Sequence, residues 1–326
     1  MKRREFVALL GGATVWPLTA RAQQSDKPVI GFLGSGLAND QASLVEATRR
    51  GLKEAGYVEG RNLTIEFRWA EGHYDRLPAF AAELVRRPVA LIIAAGGSDP
   101  ARAAKQATST IPIVFITAAD PIKTGLVASL NRPEANVTGI SLIGSSLEAK
   151  RLELLHEMLP QVAVIGALIN PKYPAARTQA QEVAEAAARL GVRTFALNAS
   201  TGAEIEAAFA SLAQQKAGAL LVCNDPFFGS TREQFAALAI AHKLPVISFR
   251  REFVQAGGLI SYGPSFEESY RQTGVYAGKI LAGARTSDLP VMQPTKFEMV
   301  VNLKTAKAIG VAVSETFLLR ADDVIE

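Results

Sequence analysis

The chain lays down the same succession of apolar runs and amphipathic stretches twice, and this repetition restricts its fold more than any other feature. In the first half, 29–33 is a short apolar run ending in Gly34-Ser35-Gly36. The stretch 40–55 then repeats Leu44, Ala47, Leu52 and Ala55 on one helical face before stopping at Gly56. A strand at 63–69, a helix at 77–85, a strand at 89–94, a helix at 100–108 and a strand at 112–116 follow from the same periodicities. The second half answers in order, with strands at 164–169, 193–197, 219–222 and 245–249 and helices at 175–190, 205–215 and 233–242. The wording echoes as well: Pro88-Val89-Ala90-Leu91-Ile92-Ile93 corresponds to Ala217-Gly218-Ala219-Leu220-Leu221-Val222, and Ile111-Pro112-Ile113-Val114 to Leu244-Pro245-Val246-Ile247. Strands that alternate with helices build a mainly parallel sheet covered on both faces.

The fold expected is therefore α/β: two Rossmann-like lobes with parallel central sheets, joined by a multi-stranded hinge, with a ligand cleft between them. Size agrees, since about 300 residues beyond the N-terminal segment exceed what one hydrophobic core serves. The short β-like segment 137–141 joins the halves. The segment 259–262 and the helix 266–281 have no place in the repeat and are expected to return to the first lobe, and 297–301 to cross again, leaving 303–310 on the second. The expected division is 28–138 plus 257–288 for lobe one and 139–256 plus 289–326 for lobe two.

Residues 1–22 read as an export signal: Lys2, Arg3 and Arg4, an apolar run over 6–18, then Ala20-Arg21-Ala22 for cleavage before Gln23. Arg3-Arg4 followed by Glu5-Phe6-Val7 is similar to a twin-arginine signal, with general secretion as the alternative. The apolar run is shorter than the roughly 20 residues that span a bilayer. A periplasmic location is expected on this reading. Of the formal charge of +4, the signal carries +3, so the remainder is nearly neutral. No basic run interleaved with aromatics speaks for nucleic acid. The single cysteine, Cys223, lies in an apolar run and reads as a buried small hydrophobe. His73, His156 and His242 are too far apart in sequence to suggest a metal site. No cofactor is expected.

Several stretches together resemble a known family. They are Gly56-Tyr57-Val58-Glu59-Gly60-Arg61-Asn62; Ala119-Asp120-Pro121-Ile122 with Gly125-Leu126-Val127; and Asn131-Arg132-Pro133 leading to Asn136-Val137-Thr138-Gly139. Asn224-Asp225-Pro226-Phe227-Phe228, and Lys296-Phe297-Glu298 continuing through Val300-Val301-Asn302-Leu303-Lys304-Thr305-Ala306, complete the set. In this order they are similar to ABC-transporter substrate-binding proteins of the periplasmic type I class, in the branch related to tryptophan-binding lipoproteins. The resemblance implies a hinged protein that closes on a small-molecule solute and docks on ABC permease subunits in the inner membrane. Several relatives are lipid-anchored through a cysteine that this sequence lacks, so a freely diffusing monomer is expected.

Candidate ligand groups follow from the strand ends. Ala95-Gly96-Gly97-Ser98-Asp99-Pro100 ends a strand and opens a helix, so backbone N–H groups and the Ser98 hydroxyl suit a carboxylate, unless the glycines serve only the turn. Ser35 carries the same argument. Thr117 and Asp120 follow a strand of lobe one, and Asn170 and Asp225 follow strands of lobe two. Asp225 or Asp120 could meet an ammonium group, or each could cap a helix or turn instead. Phe227, Phe249 and Tyr262, and Phe228 beside them, could stack on a flat ligand or belong to the core. Ser141 could serve ligand or hinge. The function expected is capture of a carboxylate-bearing amino acid or aromatic acid by closure, without catalysis. An exported hydrolase or isomerase is the rival, although no Gly-x-Ser-x-Gly elbow or Cys/His pair is present. A module presenting its closed form to a membrane sensor is a second rival, and an export signal where a helix-turn-helix would stand disfavours a DNA-binding regulator.

Overall fold

The computed structural model describes residues 27–133, 135–142, 147–294 and 297–326. The proposed signal and its cleavage point, and Lys296 of the last family stretch, lie outside these. Lobe one opens with β1 (Val29–Gly34), α1 (Ala42–Glu54), β2 (Thr64–Trp69), α2 (Leu77–Arg86), β3 (Val89–Ala95), α3 (Ser98–Ala107), β4 (Ile113–Thr117) and β5 (Val137–Ser141). Lobe two follows with α4 (Leu147–Met158), β6 (Val164–Ile169), α5 (Ala176–Leu190), β7 (Arg193–Asn198), α6 (Gly202–Gln214) and β8 (Ala219–Val222). It continues through α7 (Pro226–Ser230), α8 (Arg232–Ala241), β9 (Val246–Ser248), α9 (Arg251–Gln255) and β10 (Ile260–Pro264). The long helix α10 (Phe266–Leu281) returns to lobe one, and β11 (Phe297–Asn302), α11 (Leu303–Ile309), α12 (Glu315–Leu318) and β12 (Asp323–Ile325) finish lobe two.

The two sheets run β2-β1-β3-β4-β5 and β12-β11-β10-β9-β8-β6-β7. Pairing is parallel except between β10 and β11, where Ile260 faces Val301 and Pro264 faces Phe297 in antiparallel register. Each sheet carries an apolar cluster on both faces, as the continuous runs Leu91-Ile92-Ile93-Ala94 and Leu220-Leu221-Val222 require. Cys223 is fully buried in one of the lobe-two clusters, where burial pushes its thiol well above the ordinary value.

Three boundaries differ from the expected division. The segment around 260 belongs to lobe two: β10 is hydrogen-bonded to β9 on one side and β11 on the other, so the chain leaves that sheet only at Phe266. Likewise the whole of β5 pairs with β4, so the first passage follows Ser141 rather than dividing the strand. Residues 289–292 stay on lobe one, where Leu289 accepts from Thr138 Oγ1 at 2.6 Å and Met292 exchanges backbone bonds with Gly139 and Ser141. Among the described residues the chain thus passes between lobes after Leu142, at Ser265 and after Pro294.

What holds α10 on lobe one is close backbone contact with α1. A β-carbon on Gly51 would fall 1.9 Å from the Arg271 carbonyl oxygen, and one on Gly274 would fall 2.1 Å from that of Thr48. Only glycine lets the two helices lie at this separation.

Candidate functional site

Strands β1, β3, β4 and β5 of lobe one and β6, β8 and β9 of lobe two all run toward the interface, and their carboxyl ends face each other there, where open parallel sheets bind ligands. The cavity between them is lined from lobe one by Gln41, Leu44, Gly96, Gly97 and Leu142, and from lobe two by Tyr173, Asn224, Phe249 and Arg250. Phe266 and Tyr270 of α10 complete an apolar wall. Its volume is about 30 Å³, room for a couple of water molecules, so the lobes are shut on each other. Larger hollows of about 390 and 330 Å³ lie on the flank of lobe one and beside the hinge, and neither gathers strand ends from both lobes.

On the lobe-one side the turn before α3 has Gly96 at φ 88° and Gly97 at φ 122°, backbone that side-chain-bearing residues avoid. Ser35 Oγ donates to the Gly96 carbonyl at 2.6 Å and fastens this turn to the end of β1. Gly97 stands at the N-cap and offers no side chain to the first amides of α3, which are left for an incoming acceptor. Asp99 follows in the first turn. Burial raises its pKa, and the paired Arg102 offsets part of that.

Asp225 stands at the lobe-two side. It caps α7, accepting from the Phe228 amide through Oδ1 at 3.1 Å, and Pro226 at the next position suits a helix start. Its other oxygen, Oδ2, is buried and makes no hydrogen bond of good geometry, although the Asn170 side chain and the Tyr74 phenol stand close to the carboxylate. Burial raises the pKa to about 6, against the lowering influence of the Asn170 side chain, the Phe228 and Phe227 amides and the Tyr74 phenol. Tyr74 reaches this point from lobe one, and Tyr173 approaches Gly97 from lobe two, so both phenols flank the carboxylate across the closed interface. Burial, then the charge of Asp225, pushes both tyrosines above their ordinary range.

A buried polar frame fixes the Asn224-Asp225 segment. Glu148 Oε1 accepts from the Asn224 amide at 2.9 Å, and Gln179 Nε2 donates to the Asn224 carbonyl at 2.7 Å. Glu148 Oε2 lies 2.8 Å from Arg151 Nη1, both side chains fully buried, and Arg151 Nε donates to the Tyr262 carbonyl at 2.7 Å. Asn224 is thus held through both its amide and its carbonyl, which fixes the backbone leading into Asp225.

The residues singled out from sequence divide accordingly. Gly97 and Phe249 line the cavity, and Ser98 and Asp225 are buried next in sequence to its lining residues Gly97 and Asn224, with Asn170 buried beside Asp225. Ser35 holds the turn, while Thr117 Oγ1 accepts from the Ala119 amide at 3.1 Å. Ser141 ends β5 and donates its amide to Met292, a hinge contact. Asp120 accepts from the Ile122 and Lys123 amides at 2.9 and 3.2 Å, which makes it a turn cap. Phe227 packs on Phe228, and Tyr262 stacks on Phe297 with ring centres 6.1 Å apart; neither lines the cavity. Sequence reasoning passed over Gln41, Tyr74, Tyr173, Asn224 and Arg250. All five follow strand ends, which is the signal that could have found them.

Comparison with known proteins accords with this architecture. The family model for the ABC transporter substrate binding protein matches residues 39–325. A tyrosine-binding protein of Clostridioides difficile is 29% identical over 260 residues, covering 80% of this chain and 74% of that protein. The crystal structure of an ABC domain in complex with L-Trp from Streptococcus pneumoniae superposes with a TM-score of 0.81 at 26% identity, over 92% of this chain and 100% of that one. A ligand-free, open substrate-binding protein with adhesive properties from Clostridium difficile gives 0.65 at 27% identity, over 92% and 99%. The lower score against the open form agrees with lobes that meet here. With a match spanning most of its length, the chain belongs to the ABC transporter substrate-binding protein family, whose members bind solutes and are not enzymes.

Proposed function

We propose that this chain is the periplasmic solute-capturing component of an ABC importer, and that its solute is an amino acid with a flat apolar side chain. The observation that carries this reading is the carboxylate of Asp225, buried where the lobes meet with no cation beside it among the described residues and with Oδ2 lacking a hydrogen bond of good geometry. A carboxylate so placed calls for a cation, and an α-ammonium group supplies three donors on one small charge. The first amides of α3, those of Ser98 and Asp99, with the Ser98 hydroxyl, suit the α-carboxylate, and Leu44, Phe249, Phe266 and Tyr270 suit an aromatic side chain. The tyrosine and tryptophan attached to the two relatives support the same class. Contacts from both lobes favour the closed state, which permease subunits then read.

A thermal-shift screen of protein refolded to remove carried-over solute tests this. An aromatic amino acid at about 100 times its dissociation constant stabilises the fold by roughly 2.7 kcal/mol, a readily measured rise in melting temperature. Joint replacement of Ser98 and Asp225 by alanine abolishes that rise. Stabilisation by sugars or nucleosides with silence from every amino acid overturns the reading.

A further inference from the structure

The cavity lining holds Gly97 and Asn224, next to the buried Asp225 with Tyr74 and Tyr173, and also a second polar group, Gln41 and Arg250, whose charge partner is Glu252 rather than Asp225. Gln41 lies on the single turn Asn39–Gln41 that follows β1, and its side-chain amide is almost wholly buried with no hydrogen-bond partner among the described residues. Arg250 follows β9 and is equally buried. Its Nε and Nη2 bind the two oxygens of Glu252 at 3.2 and 3.0 Å, its guanidinium lies 4.8 Å from the centre of the Phe266 ring, and Nη1 has no partner among the described residues. Gly229 leaves space for that group, since a β-carbon there would fall 2.9 Å from Nη1. Glu252, the aromatic face and the glycine hold the guanidinium still while leaving one of its ends uncommitted.

Resting on the amino-acid reading above, we propose that Gln41 and Arg250 form a subsite for the far end of the solute. The preferred solute is then an aromatic amino acid whose ring bears a hydrogen-bond-accepting oxygen. Unsubstituted rings fill the apolar wall equally well but bring no acceptor to the Gln41 and Arg250 donors that line the cavity, and a site built this way disfavours the analogue that lacks the polar group.

Tyrosine and phenylalanine differ by that one oxygen, so titration calorimetry of the purified chain with each reads the subsite directly. Tyrosine binds the unaltered chain at least about tenfold more tightly. In Gln41→Leu, and separately in Arg250→Met, the ratio falls toward one. The readout is the ratio, which general damage to the fold leaves intact, and the Gln41 variant stands if loss of the Arg250–Glu252 pair prevents folding. Equal affinities in the unaltered chain, or parallel losses that preserve the ratio in the variants, overturn the subsite while leaving the amino-acid reading in place. Absence of binding by both amino acids overturns the subsite, and silence from tryptophan as well overturns the amino-acid reading with it.

Discussion

Asp225 carries two duties that pull on its ionisation in opposite directions. Capping α7 favours the carboxylate, and burial favours the acid; burial wins, with a pKa raised from 3.8 to about 6. The folded protein therefore holds this proton more tightly than the unfolded chain. Its contribution to stability is intact below about pH 4 and is lost as pH rises to about 6, a cost of about 3 kcal/mol in the empty protein at neutral pH. An ammonium group brought to Oδ2 reverses the balance by pairing with the charged form. Affinity for an amino acid accordingly rises between pH 5 and 7 and levels off above, and calorimetry at several pH values checks it; a flat profile across that window removes Asp225 as the counter-ion. Asn at 225 caps a helix as well as Asp, so Asp225→Asn binds weakly at every pH yet melts no lower than the unaltered protein. The candidate Asp225 was legible because it follows a strand, whereas its missing partner was not, since an orphaned oxygen is a property of packing. Asp120 occupies the same kind of position, and its carboxylate is satisfied by the Ile122 and Lys123 amides.

Among the elements, α1 and α10 show how a segment far along the chain is secured to lobe one. At Gly274 the obstacle to any side chain is the Thr48 carbonyl, which belongs to the α1 backbone and cannot swing aside. Gly274→Ala gains helix propensity of about 1 kcal/mol but forces the helices apart, and we expect a net destabilisation of about 1–3 kcal/mol, measured by denaturant unfolding. A variant as stable as the original shows that the helices separate freely. This contact was not legible: glycine in a helix looks like a flaw until the neighbouring backbone is known. Helix α4 escaped the sequence reading for a related reason. Glu148 and Arg151 occupy its buried face and pair there, so the apolar periodicity that marks a surface helix is blurred. By contrast β6 was read to the residue, because a strand buried on both faces is a bare apolar run. The assignment of β10 failed because the repeat ended before it, and only hydrogen bonds to β9 and β11 reveal which sheet it extends.

For the molecule as a whole, a cavity of about 30 Å³ means that a solute is admitted only after the lobes part. The doubled βα pattern made both lobes and their facing strand ends legible, but not how closely they approach. That approach includes a polar contact beyond the cavity. Asp40, on the turn after β1, lies near Ser230, Arg232 and Glu233 of lobe two without forming a close ion pair among the described residues, and burial raises its pKa, with Arg232 opposing and Glu233 adding to the rise. An interaction present only when the lobes meet stabilises the closed state without touching the solute, so it scales the affinity of every solute by one factor. The attraction of Asp40 by Arg232, longer in range than an ion pair and screened by solvent, contributes at most about 1 kcal/mol. Asp40→Ala should therefore weaken tyrosine, tryptophan and phenylalanine alike, by up to about fivefold, with the loss in the dissociation rate. The adjacent Gln41→Leu should instead weaken tyrosine selectively. Neighbouring residues on one short turn thus separate the two quantities a closing protein must set, how firmly it shuts and what it shuts on. Stopped-flow dissociation of all three amino acids from both variants measures them side by side, and a selective loss in Asp40→Ala would show that this carboxylate contacts the solute rather than the opposite lobe.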